Sequence, residues 1–293
     1  MKKRIITYGL RFLIALTVPL VLVFLLNLFW VVDIRPDVIK DGITNEMESK
    51  GRQILQEMGI AHGKLYWENT KTWTVHYNAK WEIPEAWIAN HWPSNQQNVR
   101  FDAIANSFDS RATLLDGTHK NEVWGIQSWR TYKQIPEGEF RFETNSNLAF
   151  GNPTVHYFIE LPFRASNAPI VAYAGTATKY EKDYELVFIT WVNSNPNKNS
   201  DQYLLYINKH TKRLDFAEYT VREQFNFLNS TVTFENYTDV DGILFPSRFY
   251  NQVPYMKFLT FHDGLFTDWN IDSIAPDELR PNEKLEIIKD EKL

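Results

Sequence analysis

Five stretches decide the fold: Tyr184-Glu185-Leu186-Val187-Phe188-Ile189-Thr190-Trp191-Val192, Gln202-Tyr203-Leu204-Leu205-Tyr206-Ile207-Asn208, and the runs 213–221 (RLDFAEYTV), 231–238 (TVTFENYT) and 243–250 (ILFPSRFY). All are rich in β-branched and aromatic residues, and no segment of helical period separates them. Lys209-His210-Thr211-Lys212 divides the second from the third. Asp239-Val240-Asp241-Gly242 divides the fourth from the fifth, and its Asp-Gly pair suits a hairpin turn that needs positive φ. The reading is a meander. An antiparallel sheet of this kind must bury one face against something else in the chain.

Upstream, the odd positions Trp73, Val75, Tyr77, Ala79 and Trp81 alternate with Thr74, His76, Asn78 and Lys80, which marks a half-buried strand. Shorter strands are expected at 99–103, 111–115 and 122–129, and a second set begins at 170–180. The stretch 82–97, with Pro84, Trp87, Trp92 and Pro93, reads as an aromatic loop. Two helices are expected as cover. One runs from Val38 to Met58, with Met47, Ile54, Leu55 and Met58 on one side, weakened by Gly42 and Gly51 and stopped by Gly59. The other runs from Asn152 to Phe163, with Asn152 as N-cap, Pro153 in the first turn and Pro162 as terminator.

At the N-terminus, Met1-Lys2-Lys3-Arg4 is basic, and Phe12 to Val32 carries no charge. A run of about 20 residues spans a bilayer core, and Asn27-Leu28-Phe29-Trp30-Val31-Val32 offers no small-x-small cleavage site. The expectation is an uncleaved signal-anchor. Lys2, Lys3, Arg4 and Arg11 on the near side place the N-terminus in the cytoplasm and the rest outside. The division is a cytoplasmic N-terminus (1–11), a transmembrane helix (12–32), one folded domain (33–271) and a polar C-terminal tail (272–293), expected to be mobile or loosely docked.

The whole chain carries a formal charge of −5, and setting aside the four N-terminal cations leaves −9, which argues against a nucleic-acid partner. With no cysteine, a disulfide framework, a thiolate metal site and a thiol nucleophile are excluded. The seven histidines form no i, i+3 or i, i+4 pair with one another, and neither HExxH nor Gly-x-Ser-x-Gly occurs, so no catalytic, metal or cofactor motif is present. His262-Asp263 beside Gly264 reads as a surface dipeptide at a turn, and His62-Gly63 as a helix C-cap. Arg164 and Arg248 read as ion-pairing residues, with an anionic headgroup as the alternative partner.

Leu161-Pro162-Phe163-Arg164, Tyr173-Ala174-Gly175-Thr176, the run from Asp201 to Thr211 and Val240-Asp241-Gly242-Ile243-Leu244-Phe245-Pro246 occur in an order that resembles bacterial envelope proteins similar to the outer-membrane lipoprotein carrier superfamily, the LolA/LolB type. The resemblance extends from about Met47 to about Phe261. It implies a mainly β, α+β domain: an antiparallel open half-barrel of roughly eleven strands, preceded here by the single transmembrane helix, with helices on the concave side and an apolar cavity. The apolar run and its basic flank, a departure from the soluble or cysteine-lipidated carriers, give the expectation of an inner-membrane, single-pass protein whose main domain is periplasmic.

Three classes of function follow. The first is a membrane-tethered binder of a lipid, an acyl chain or another apolar ligand, with Trp73, Val75, Tyr77, Trp81, Phe101, Leu205, Phe216 and Phe234 lining the concave face. The second is an envelope interaction protein whose half-barrel is filled by its own helices, its protein partner unspecified. The third is an enzyme acting on envelope glycans or lipids.

Overall fold

A computed structural model describes residues 17–18, 21–83, 90–253 and 256–288, with side chains omitted at 256–258. Of the expected membrane helix, residues 12–16 and 19–20 lie outside the described residues. Of its span, residues 21–29 are helical, and among the described residues no helix is long and apolar enough to cross a membrane. Residues 84–89 of the aromatic loop also lie outside.

The described residues form one antiparallel sheet of thirteen strands. In chain order these are β1 (Thr72–Trp81), β2 (Gln96–Ile104), β3 (Ser110–Leu114), β4 (Val123–Gln127), β5 (Arg130–Gln134), β6 (Phe140–Phe142), β7 (Ile170–Lys179), β8 (Lys182–Thr190), β9 (Gln202–Asn208), β10 (Leu214–Thr220), β11 (Asn229–Val240), β12 (Ile243–Val253) and β13 (Met256–Ile271). The first six make one meander and the last seven another. Pairing of β1 with β13 joins them, so that β6 and β7 are the free edges. All five strands of the opening stretch are present. Val240 pairs with Ile243 around Asp241 (φ 53°) and Gly242 (φ 87°), the two positive-φ positions that a two-residue hairpin turn requires.

Because β6 and β7 are opposite edges, the segment between them must cross the whole sheet, and it does so as helix α2 (Ser146–Arg164). Its N-cap is Asn145, whose side chain accepts from the Leu148 N–H. Pro153 and Pro162 are inside it, so the shorter helix expected from Asn152 to Phe163 is corrected at both ends. An interior proline costs a helix ~3 kcal/mol. Here Val155, Phe158, Ile159, Leu161 and Phe163 all enter the main core, and burial on that scale overrides the local preference.

Helix α1 (Asn45–Ala61) lies on the β7 edge with Ile54, Leu55 and Met58 buried. Gly51, an apparent weakness, is what lets it approach: a Cβ there would stand 2.9 Å from the Tyr173 backbone nitrogen. At the helix end His62 is the C-cap, and its buried ring accepts the Leu214 N–H at Nε2 (3.1 Å), tying α1 to β10. Before α1 the chain runs over the outer face, where Ile39 packs among Ala172, Tyr184, Phe188, Leu204, Tyr206 and Phe216.

The C-terminal tail is docked through Glu286, not loose. Leu279 is fully buried, Arg280 pairs with Asp109 at 2.6 Å, and Gln127 and Ser128 bind the backbone of Asn282 and Glu286. Ile287 and Ile288 remain exposed.

Candidate functional site

Seven of the eight residues expected on the concave face belong to the main core between the sheet and α2: Trp73, Val75, Tyr77, Trp81, Phe101, Leu205 and Phe234. Phe216 does not. Leu214 pairs with Ile207 and Phe216 with Tyr206, leaving Asp215 as the extra residue of a bulge. The slip turns Phe216 to the outer face, stacked on Tyr206 at 4.1 Å.

The centre of the inner face is filled. Glu160 of α2, fully buried, accepts from Trp73 Nε1 (2.7 Å), His156 Nε2 (2.7 Å), Arg164 Nε (2.6 Å) and the Asn106 N–H (3.2 Å). His156, Glu160 and Arg164 stand one turn apart along α2, so one helix carries the whole row. Burial pushes the Glu160 carboxyl up, but Arg164, His156 and Trp73 outweigh it and hold it below its usual range. For His156 burial dominates and lowers its basicity. Arg164 is thus spent on an internal ion pair, and Arg248 on Asp263 and Glu235. Neither is free for a headgroup.

Open space begins at the N-terminal half of α2. A cavity of about 380 Å³ lies between that half-helix and the ends of β1, β11, β12 and β13. Its buried floor is Trp81, His91, Phe158, Tyr219, Phe249, Asn251 and His262. Its half-exposed rim includes Ile83, Phe150, Val221, Phe225, Val253 and Phe261, and Leu228 is exposed. None of its lining residues carries a formal charge at neutral pH. A second cavity, of about 610 Å³, lies on the other flank of the half-helix and shares Phe150, Thr154, Phe158, Tyr219 and Val221 with the first. There Asp201 accepts from Thr220 Oγ1 and the Arg222 N–H, both at 2.8 Å, which fixes the start of the 221–228 loop.

Of the eight expected residues only Trp81 lines the first cavity. The others that do were missed, above all His262, which is not a surface residue at a turn. Gly264 lies inside β13, and along that strand His262, Gly264 and Phe266 face inward while Asp263 and Leu265 face out. Hydrophobic alternation gave no signal there, because the inward positions are His262 and Gly264 while the apolar Leu265 faces out.

A polar relay crosses the floor. Tyr219 O–H donates to Asn251 Oδ1 (2.8 Å), Asn251 Nδ2 donates to His262 Nδ1 (3.0 Å), and His262 Nε2–H donates to Tyr77 Oη (2.6 Å). Burial depresses His262 to about 4. His91 reaches the floor because Gly151 makes room: a Cβ there would stand 2.1 Å from the His91 ring. Burial depresses His91 to about 3. Both its ring nitrogens, Trp81 Nε1 and Asn229 Oδ1 are buried without a partner among the described residues. Such groups cost about 1–3 kcal/mol each when left unsatisfied. Two neutral donors and two neutral acceptors are therefore buried beside this space, with almost no surface toward it.

No family model matches the chain, and no curated protein matches it by sequence. Solved structures do. A DUF1329 family protein from Desulfovibrio piger is similar over 78% of this chain and 95% of its own, with 11% identity and a TM-score of 0.52. A LolA superfamily protein from Nitrosomonas europaea is similar over 80% and 99%, with 12% identity and a TM-score of 0.50. A putative outer membrane lipoprotein-sorting protein domain from Vibrio parahaemolyticus is similar over 79% and 97%, with 10% identity and a TM-score of 0.50. The open antiparallel sheet with its crossing helix is a LolA-like fold.

Proposed function

We propose that this chain is a membrane-tethered binding protein of the cell envelope that holds an uncharged apolar ligand, such as an acyl chain of a lipid, beside the N-terminal half of α2. The observation that carries the reading is the cavity of about 380 Å³ with no charged residue in its lining, a size within the range of small-molecule sites, roughly 300–1,000 Å³. Burying a charge there would be costly. His91 and His262, both held neutral by burial, supply no counter-charge. The ligand's inserted part is therefore uncharged. The LolA superfamily protein and the lipoprotein-sorting domain named above support a carrier-like role by their fold. Tethering rests on the uncharged run from Phe12 to Val32, with the main domain on the periplasmic side.

The filled centre of the half-barrel supports the scaffold reading for that region, and confines the ligand to one end. Native mass spectrometry of the full chain released from detergent micelles tests the proposal. Bound lipid is expected, and Thr154→Trp, which fills the space from a half-exposed position, is expected to remove most of it. Absence of lipid from the wild-type chain, or equal lipid in the variant, would refute it.

A further inference from the structure

We propose that the rim of this cavity is held against the hydrocarbon of the membrane in which the chain is anchored, so that lipid enters from the bilayer without crossing water. The inference rests on the tethered-binder reading above and adds where the cavity opens.

Three observations meet at one loop. The first is the apolar segment that ends the uncharged run: Phe24 is 65% exposed and Phe29 78%, with Val21, Leu22 and Trp30 also exposed, a surface that the described residues leave uncovered. Contiguous apolar exposure of this kind marks an interaction surface. The second is the fastening of that segment. Asn226 donates to Asn27 through its backbone N–H (2.7 Å, to Oδ1) and its side-chain amide (3.0 Å, to the carbonyl), and accepts the Val32 N–H (2.9 Å). Lys198 Nζ donates to the Leu28 carbonyl (2.9 Å), and the Arg222 guanidinium donates to the carbonyls of Val32 and Asn226. The third is the cavity rim, where Val221, Phe225 and Leu228 come from the same loop as Arg222 and Asn226.

The loop that forms one side of the mouth is thus the loop that grips the end of the anchor. A helix rises 1.5 Å per residue, so residues 21–29 place the bilayer within a few turns of that grip. The rim is apolar where a water-facing mouth would be polar. A bilayer satisfies the exposed helix and the exposed rim together, and continuity of the segment with the uncharged residues before it makes hydrocarbon the occupant.

The test uses the full chain in phosphatidylcholine vesicles with a photoreactive residue at the rim. Leu228→p-benzoylphenylalanine is expected to cross-link lipid at least fivefold more than the same residue at Leu265, an exposed position on the outer face of β13. A flexible spacer of about twenty Gly and Ser residues between Val31 and Val32, with a mean span of about 25 Å, combined with Asn27→Ala, Lys198→Ala and Asn226→Ala so that the grip on the anchor side is released as well, is expected to abolish the Leu228 adduct. Lipid content in native mass spectra should stay unchanged by that spacer. Adducts to a second copy of the chain, cross-linking no greater than at Leu265, or undiminished cross-linking with the spacer would overturn the proposal. Loss of the binder reading looks different: Leu228 would still cross-link lipid while the chain carried none.

Discussion

Tyr77 stands where packed core becomes ligand space. Its ring stacks on Phe266 at 4.9 Å, and its hydroxyl accepts from His262. Removing the ring should therefore cost what a packed aromatic costs: Tyr77→Ala is expected to lose about 3 to 5 kcal/mol. Tyr77→Phe removes only the acceptor and leaves the His262 N–H unpaired, for about 1 to 3 kcal/mol. Denaturant midpoints of the two variants check both figures, and a negligible loss in Tyr77→Phe would mean that the relay is not formed. The buried histidines give the chain a pH signature. His62, His91 and His262 are held neutral by burial, near 3, 3 and 4, against an ordinary value of 6.5. The unfolded chain then binds more protons at low pH, so their contribution is intact above pH 6.5 and is lost as pH falls toward those folded values. Each histidine costs about 1 kcal/mol per pH unit in that window, and down to pH 4.5 few carboxylates add to the slope. Urea unfolding between pH 7 and 4.5 should show the decline, and His262→Gln should flatten it. A pH-independent midpoint would contradict the burial of these rings. Which residues face inward was legible from alternation at Trp73 to Trp81. It failed at Phe216, because a bulge at Asp215 has no signature in hydrophobic period.

Among the elements, strands with clean alternation and Asp-Gly turns were readable, and those whose form depends on distant partners were not. α2 begins at Ser146, six residues before Asn152, because Asn145, next to β6, supplies the cap, and its two prolines are tolerated inside a buried helix. Sequence rules for proline describe helices without that tertiary support. β13 was missed in the same way: Gly264 reads as a turn until Tyr77 is known to occupy the space its side chain would take, at 2.8 Å. The C-terminal tail is a third case. Its composition is polar, yet one residue, Leu279, is fully buried and the neighbouring Arg280 pairs with Asp109. Leu279→Ala is expected to destabilise the fold by about 2 to 5 kcal/mol. Among the described residues, removing 281–293 severs three hydrogen bonds to the rest of the domain, those of Asn282 and Glu286, for about 1.5 to 4.5 kcal/mol at roughly 0.5–1.5 each and toward the low end where they are part-exposed. Thermal or urea unfolding separates the two, and the ranking would be reversed if the tail were held mainly by Ile287 and Ile288.

For the whole molecule, joining the two meanders through β1 and β13 sends the connecting helix across the inner face, and that single topological fact both fills the centre and leaves space at one end. The meanders were legible separately, but their joining was not, since the pairing of Trp73 with Ile271 spans nearly the entire domain. The N-terminal run bears on the molecule at the same scale. A cleaved leader would be cut where small residues flank the site, and the stretch from Asn27 to Val32 has none. In the folded chain Asn27, Leu28 and Val32 are each hydrogen-bonded to residues between Lys198 and Asn226. Cutting there would remove a docked segment and leave Arg222, whose Nε has no partner among the described residues, without the Val32 carbonyl if the cut fell beyond it. Protein extracted from membranes is therefore expected to retain the uncharged run 12–32, and to resist release by high salt and alkaline carbonate. Intact mass and N-terminal sequencing decide the matter: a mature chain beginning near Asp33 or Pro36, or one released by carbonate, would show that the apolar run is an export leader and that the domain acts untethered.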